Sequence, residues 1–167
     1  MRNSNSVVTY IGIGSNLGER EANIRKALAM LIETPHLEVR RISSFLENAP
    51  VGGPENAPNF LNAAVEAHVA LMTANALMRR LLEIEQVMGR SRRVKWEPRV
   101  IDLDLLLFGS SIVSSDDLIV PHPLMHERRF VLAPLAEIAP NAVHPVLQVR
   151  IADLLAGLTN KNQANKR

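Results

Sequence analysis

The most restrictive feature of this chain is an apolar stretch, residues 101–108, that carries two aspartates. Its isoleucine, leucine and phenylalanine residues, bounded by Pro98 and Gly109, predict a buried strand closed by a turn. Side chains two positions apart on a strand share a face, so we predict that Asp102 and Asp104 point the same way. The opposite face is expected to be filled by Ile101, Leu103, Leu105 and Leu107.

The two carboxylates on this strand favour a cation site. Neighbouring carboxylates repel each other, and burying either without a partner is costly, so we expect a positive charge between them. Mg²⁺ fits because it is usually held by one or two carboxylates together with substrate phosphates and water. Two alternatives stay open: both acids face solvent on a half-exposed sheet, or they pair with Arg99 and Lys95.

Length and composition set the broad class. A chain of 167 residues, 47% hydrophobic and 22% charged, suits one globular domain, expected over residues 1–159 with a polar tail over 160–167. The absence of cysteine excludes disulfides and thiolate chemistry. No apolar run approaches a membrane span and residues 1–6 lack the core of a signal peptide, so we expect a cytoplasmic protein without membrane attachment. A net charge of +2 is too small to imply a polyanionic partner.

The order of periodic segments predicts the fold. Period-two or β-rich stretches predict strands over 7–13, 36–45, 60–69 and 101–108, and helical periodicity predicts helices over 19–33 and from an N-cap at Thr73 to about Met88. This β-α-β-β-α-β order is the ferredoxin-like pattern, an α+β fold in which helices pack on an antiparallel sheet. The loop over residues 46–59 is long and rich in proline and glycine, which is typical of a functional or disordered segment.

Several polar residues outside the acidic strand are also candidates. Segment 90–99 has five cationic residues in ten and the single tryptophan. Its arginines can bind phosphate oxygens and Trp96 can stack on a flat ring. Alternatively, the segment is a solvated basic loop with Trp96 packed in the core. Asn62, flanked by apolar residues, either reads a polar heterocycle or bonds the loop backbone. Glu85 is expected on a solvated helix face, and His122 between two prolines either contacts a phosphate or bonds its own loop.

Several motifs occur together in one order along the chain. They are Tyr10-Ile-Gly-Ile-Gly-Ser-Asn-Leu-Gly18, Pro58-Asn-Phe-Leu-Asn-Ala-Ala64, Glu85 with Gly89-Arg90, Arg92-Arg93, Trp96-Glu-Pro-Arg99, Asp102-Leu-Asp104-Leu-Leu-Leu-Phe-Gly109 and Val120-Pro-His122. In this order the chain resembles the 6-hydroxymethyl-7,8-dihydropterin pyrophosphokinases of folate synthesis over roughly residues 7–145. The Arg-x-x-Asp-Leu-Asp element at Arg99–Asp104 is the most specific part.

The resemblance implies a ferredoxin-like αβα fold and an Mg²⁺-dependent enzyme. The implied reaction moves the β,γ-pyrophosphoryl group of ATP to the pterin hydroxymethyl and releases AMP, with two Mg²⁺ held by Asp102 and Asp104. The implied catalytic residues are Arg90, Arg99, Asp102 and Asp104. The implied ATP site comprises Glu85, Arg92, Arg93, Lys95, Trp96, Arg99, Leu105, His122 and Arg128, and the implied pterin site comprises Asn48, Ala49, Val51, Phe60, Asn62, Trp96 and Phe130. The implied partners are the two small-molecule substrates, with no nucleic acid, and the expected state is a monomer.

A ferredoxin-like RNA-binding module that uses segment 90–99 as a basic stripe is the competing hypothesis. Such a module carries exposed aromatic residues on its central strands and binds with a steep salt dependence. An aromatic content of 4% and two acids on the key strand argue against it.

Overall fold

The computed structural model describes residues 5–52, 54–89 and 98–164. In chain order the elements are β1 (Val7–Ser15), α1 (Arg20–Ile32), β2 (Leu37–Ile42), β3 (Leu46–Asn48), β4 (Phe60–Val69), α2 (Ala74–Val87), β5 (Asp102–Phe108), β6 (Val113–Ser114), β7 (Ile119–Val120), a 3₁₀ turn (Met125–Glu127), α3 (Arg129–Ile138), β8 (Val143–His144), β9 (Val149–Arg150) and α4 (Ile151–Ala164). No helix in these ranges is both long and apolar enough to cross a membrane.

The main sheet has the strand order β2-β4-β1-β5, and β3 also pairs with β4. Every pairing in it is antiparallel, with Ile11 opposite Val65 on one side and Ile13 opposite Leu103 on the other. Two helical crossovers, α1 and α2, connect the main strands in the predicted β-α-β-β-α-β order. The ferredoxin-like prediction is confirmed.

Helices cover both faces of the sheet. On one face, α1 and α2 pack their buried residues against β1 and β5, as with Leu31 and Leu81 against Ile11 and Leu103. On the other face, α3 and α4 cover a second core that contains Leu106 and Leu132. Full burial of such a side chain stabilises the fold by about 1.5–3 kcal/mol, so each helix is held mainly by its apolar stripe. Thr73 caps α2 as predicted, since its hydroxyl accepts a hydrogen bond from the Ala76 amide at 3.2 Å.

A β-bulge overturns one detail of the predicted acidic strand. Tyr10 pairs with Leu107 but Ile11 pairs with Leu105, so Leu106 is an extra residue on β5. Leu106 and Leu107 therefore both pack in the core under α3 and α4. The prediction that Leu107 lies on the same face as Leu103 and Leu105 is wrong, because the bulge interrupts the strand alternation.

Two other boundaries differ from the predictions. Residues 46–48, predicted as the start of an irregular loop, form β3 and pair with residues 60–62 of β4. A strand of three residues is too short for its periodicity to be recognised. At the other end, α4 runs to Ala164, into the segment predicted as a polar tail.

Candidate active site

A cavity of about 390 Å³ opens where strands β1, β4 and β5 meet the start of α3. Nine of the predicted site residues line it: Asn48, Val51, Phe60, Asn62, Arg99, Asp102, Asp104, Arg128 and Phe130. The remaining wall comes from residues without a functional signature, namely Gly12, Ile13, Gly14, Asn16, Pro50, Gly52, Pro54, Ala57, Ala63 and Val131. Metal, phosphate and pterin candidates from distant parts of the sequence thus share one cavity.

Asp102 and Asp104 lie side by side at the edge of this cavity. Both side chains are half-buried, while Leu103 between them is buried in the core on the opposite face, which confirms the predicted shared face. In the strand register Asp102 is opposite Gly14 and Asp104 is opposite Gly12. Because glycine has no side chain, no β1 side chain stands opposite either carboxylate.

Arg99 links the acidic strand to the turn after β1. Its Nη1 donates to Asp102 Oδ2 at 3.0 Å, so the alternative that Arg99 pairs with an acid is realised for Asp102. Its backbone amide donates to Asn16 Oδ1 at 2.6 Å, and the Asn16 amide donates back to the Arg99 carbonyl at 3.1 Å. These bonds hold the Arg99 side chain at the cavity without excluding a metal ion, since a carboxylate has two oxygens.

The amide of Asn62 forms part of the cavity floor. The residue is 7% exposed, and its Nδ2 donates to Asn48 Oδ1, while Asn48 Nδ2 donates to the Ala49 carbonyl at 2.8 Å. Asn62 therefore holds the chain after β3 through the Asn48 side chain. A methyl group on Gly14 would lie 2.9 Å from Asn62 Oδ1, so this position needs glycine to leave the Asn62 amide in place; the Phe60 ring, at 3.6 Å, would be in ordinary contact.

Two aromatic rings and one further arginine complete the cavity lining. Phe60 and Phe130 are half-buried and both line the cavity. The Arg128 guanidinium lies 5.8 Å from the centre of the Phe130 ring, within cation–π range. The competing RNA-binding hypothesis needs aromatic residues exposed on an open sheet. Phe60 and Phe130 instead line a cavity at the start of α3, which argues against that hypothesis.

His122 lies just beyond the cavity lining, within electrostatic reach of Arg128 and Asp102. Burial lowers its pKa, the positive charge of Arg128 lowers it further, and Asp102 partly opposes both. Its Nδ1 accepts a hydrogen bond from the Leu124 amide at 3.3 Å. The ring is therefore neutral at neutral pH and has its proton on Nε2, which makes Nε2 a hydrogen-bond donor.

Glu85 is not on a solvated helix face, and that prediction is wrong. The residue is 1% exposed, and its Oε1 accepts a hydrogen bond from the Leu103 amide at 2.8 Å. Leu77, Leu81 and Glu85 follow each other at intervals of four, so the helical stripe itself was a sequence signal for burial. Glu85 does not line the cavity; it binds the backbone of the residue between the two aspartates.

The other predicted site residues fall into two groups. Ala49 and Leu105 are described but do not line the cavity; Ala49 is exposed, and Leu105 is buried in the core against α1 and α2. Arg90, Arg92, Arg93, Lys95 and Trp96 lie outside the described residues.

The comparisons with known proteins identify the family. The family model described as 7,8-dihydro-6-hydroxymethylpterin-pyrophosphokinase matches residues 10–140. A 2-amino-4-hydroxy-6-hydroxymethyldihydropteridine pyrophosphokinase of Bacillus subtilis is 47% identical over 78% of this chain and 77% of its own length. A protein of the same name from Aquifex aeolicus is 40% identical over 82% of this chain and 83% of its own length.

Solved structures support the fold. The chain of a crystal structure of an HPPK-DHPS in complex with substrates matches 95% of this chain with a TM-score of 0.74 and 14% identity. Wild-type Plasmodium falciparum HPPK-DHPS matches 99% with a TM-score of 0.77 and 13% identity. This chain spans 44% and 47% of those two chains, and the likeness concerns the fold alone. From the family match and the close relatives, this chain belongs to the 7,8-dihydro-6-hydroxymethylpterin-pyrophosphokinase family.

Proposed function

We propose that this protein transfers the β,γ-pyrophosphoryl group of ATP to the hydroxymethyl group of 6-hydroxymethyl-7,8-dihydropterin and releases AMP, as a step of folate biosynthesis. Family membership supports the pyrophosphokinase class and ATP as co-substrate. At the level of the site, the proposal is carried by one observation: two adjacent carboxylates face a cavity that also holds two aromatic rings, a buried amide and arginine side chains.

The pterin ring lies between Phe60 and Phe130 in this proposal. A flat heterocycle gains stacking contacts with both rings, and a ring pair contributes about 0.5–1.5 kcal/mol beyond the area it buries. In this proposal Asn62 bonds the polar edge of the ring, which is supported by its position in the cavity lining together with Asn48 and Val51. Ala49 is assigned to the pterin site from the family resemblance alone. Trp96 is assigned to the same substrate from the family resemblance.

Asp102 and Asp104 are the proposed ligands of two Mg²⁺. Their oxygen atoms are the hard donors that this ion prefers, and both are accessible from the cavity. Within the described ranges no group of three or more His, Asp or Glu residues could hold a metal. Two carboxylates are sufficient for Mg²⁺, which takes its other ligands from substrate phosphates and water. When bound, Mg²⁺ would neutralise phosphate charge and hold the reacting oxygens in line.

The residues of the chain position and neutralise the triphosphate. Arg99 and Arg128 offer guanidinium donors at the cavity, and neutral His122 offers its Nε2 proton beside them. From the family resemblance, Arg90 is assigned to catalysis, and Arg92, Arg93, Lys95, Glu85 and Leu105 to ATP binding. In the transfer, the pterin hydroxyl oxygen bonds to the β-phosphorus, the bond from that phosphorus to the AMP oxygen breaks, and the hydroxyl proton is released.

The assay for this function mixes protein, ATP, Mg²⁺ and the hydroxymethyl pterin and separates the nucleotides. AMP formed in equal amount to the pterin diphosphate is the expected product, whereas ADP or no turnover contradicts the proposal. We also propose a cytoplasmic, monomeric enzyme; light scattering on the eluted protein should give the 18.5 kDa of one chain.

Replacing one metal ligand tests the role of the carboxylates. We expect Asp104→Asn to lower kcat at least about 10³-fold, because charge stabilisation by a metal is worth several kcal/mol. Asp153→Asn is the matched control. Asp153 lies on α4 and is an exposed partner of Arg150, so this variant should leave turnover unchanged. Circular dichroism should show both variants folded; an unfolded Asp104→Asn would mean that this carboxylate is structural.

A further inference from the structure

Arg20 joins the two ends of one cavity wall. It is the first residue of α1, and its Nη1 donates to Glu47 Oε1 at 2.9 Å and to the Asn59 carbonyl at 2.8 Å. Glu47 belongs to β3, and Asn59 directly precedes β4. A single guanidinium nitrogen therefore contacts the chain on both sides of the connection between these strands.

That connection, residues 49–52 and 54–59, is called here the wall segment. Pro50, Val51, Gly52, Pro54 and Ala57 line the cavity. The residues that flank the wall segment, Asn48 and Phe60, line it too and are the immediate neighbours of the two Arg20 contacts. The β3–β4 pairing sets the spacing of these ends, and the Arg20 contacts tie both ends to α1 beside the Phe60 ring.

The anchor for this contact is a well-fixed helix. Ile24, Ala27, Leu28 and Leu31 of α1 are buried in the core. The turn before the helix is held by Asn23, whose Nδ2 donates to the Leu17 carbonyl at 2.8 Å. The hydrogen bond from Arg20, together with its charge, lowers the pKa of Glu47, so the pair remains ionised well below neutral pH.

We propose that Arg20 is a positioning residue for the pterin substrate: it ties both ends of the wall segment to α1, in the position that the pterin cavity needs. This inference rests on the proposed function. The pairing of Asn48 with Phe60 already joins the base of the wall segment, and Arg20 adds a second tie, to α1. Without that tie the wall segment keeps its strand pairing but loses its link to the helix, and pterin binding must then supply part of the ordering free energy. The phosphate-binding side chains Arg99, Arg128 and His122 lie on other parts of the chain, so ATP binding should be unaffected.

The experiment measures steady-state kinetics for each substrate in Arg20→Ala, Arg20→Lys and Arg25→Ala. Arg25 is the matched control, because it lies on the same helix and pairs with Glu21 at 2.6 Å. We expect Arg20→Ala to raise the KM for pterin about threefold to tenfold, with the KM for ATP and kcat within about twofold of wild type. Arg20→Lys, which keeps a cationic donor, should recover part of the loss, and Arg25→Ala should match wild type.

Two results would overturn the inference. One is an Arg20→Ala pterin KM equal to that of Arg25→Ala. The other is a rise in the KM for ATP equal to the rise in the KM for pterin, or a fall in kcat alone. Either result means that Arg20 does not act through the wall segment. Wild-type protein in the same assay reports the proposed function separately: absent wild-type turnover contradicts that function, whereas normal wild-type turnover with an unchanged Arg20→Ala contradicts only the role of Arg20. Thermal melting of all four proteins verifies that each is folded.

Discussion

At the scale of single residues, Glu85 shows how a buried acidic side chain can support a site that it does not line. Its carboxylate accepts the amide proton of Leu103, the residue between Asp102 and Asp104. A carboxylate that is 1% exposed is costly to bury, and hydrogen bonds to its oxygens offset that cost. The bond joins α2 to the strand that carries both candidate metal ligands.

Removing that acceptor should destabilise the protein and disturb the acidic strand. We expect Glu85→Leu to lower the free energy of unfolding by about 1–3 kcal/mol, because the buried Leu103 amide loses its partner. Glu85→Gln keeps a carbonyl oxygen and should cost less. Urea unfolding of both variants measures the loss, with Glu83→Gln as control, since Glu83 is an exposed partner of Arg80 on the same helix. Equal stability of Glu85→Leu and Glu83→Gln would contradict this role.

At the scale of elements, α3 matters because its first turn presents Phe130, next to Arg128, at the cavity. Its other end is bonded to β2 and to the chain just after it. The Ser44 amide and hydroxyl donate to the two Glu137 oxygens at 2.9 and 2.6 Å, and Arg41 Nη1 donates to the Ile138 carbonyl at 2.9 Å. These bonds hold the C-terminal end of α3, which lies away from the end that carries Phe130.

The Glu137 contact has a defined pH dependence. The hydrogen bonds from Ser44 lower the pKa of Glu137 in the folded state. A lowered folded-state pKa means that the stabilisation is complete above the ordinary pKa of glutamate and is lost as the pH falls through the folded value. We expect Glu137→Gln to cost about 0.5–1 kcal/mol at pH 7, a small value because the residue is exposed. In urea unfolding, the difference from wild type should shrink in acid; a pH-independent difference would refute the assignment.

At the scale of the whole molecule, the sequence predicted what repeats along the chain and missed what depends on contacts between distant segments. The periodicity of apolar residues predicted the long strands and helices, and strand alternation predicted that Asp102 and Asp104 share one face. The bulge at Leu106 depends on the partner strand β1, which no pattern within β5 reveals. The contacts of Arg20 join positions 27 and 39 residues away, so neither has a local signature.

The site is assembled from the sheet and from the helix layer above it, so its ligands should stabilise the whole fold. Residues of β1, β4, β5 and the start of α3 line one cavity, and the two cores adjoin through those strands. A ligand that binds only the folded state, at about 100 times its Kd, adds about 2.7 kcal/mol. For a chain of 167 residues we therefore expect a rise in Tm of about 5–11 °C with an unreactive ATP analogue, Mg²⁺ and pterin together.

The metal dependence of that shift separates specific assembly of the site from general ligand binding. Because the two carboxylates are the proposed metal ligands, EDTA should remove most of the rise in Tm for wild type. Asp104→Asn should show the same reduced rise with or without EDTA, while Asp153→Asn should behave as wild type in both conditions. A wild-type shift that is insensitive to EDTA would mean that the nucleotide binds without the two carboxylates holding a metal ion. The strand bearing Asp102 and Asp104 would then lose its proposed place at the centre of the reaction.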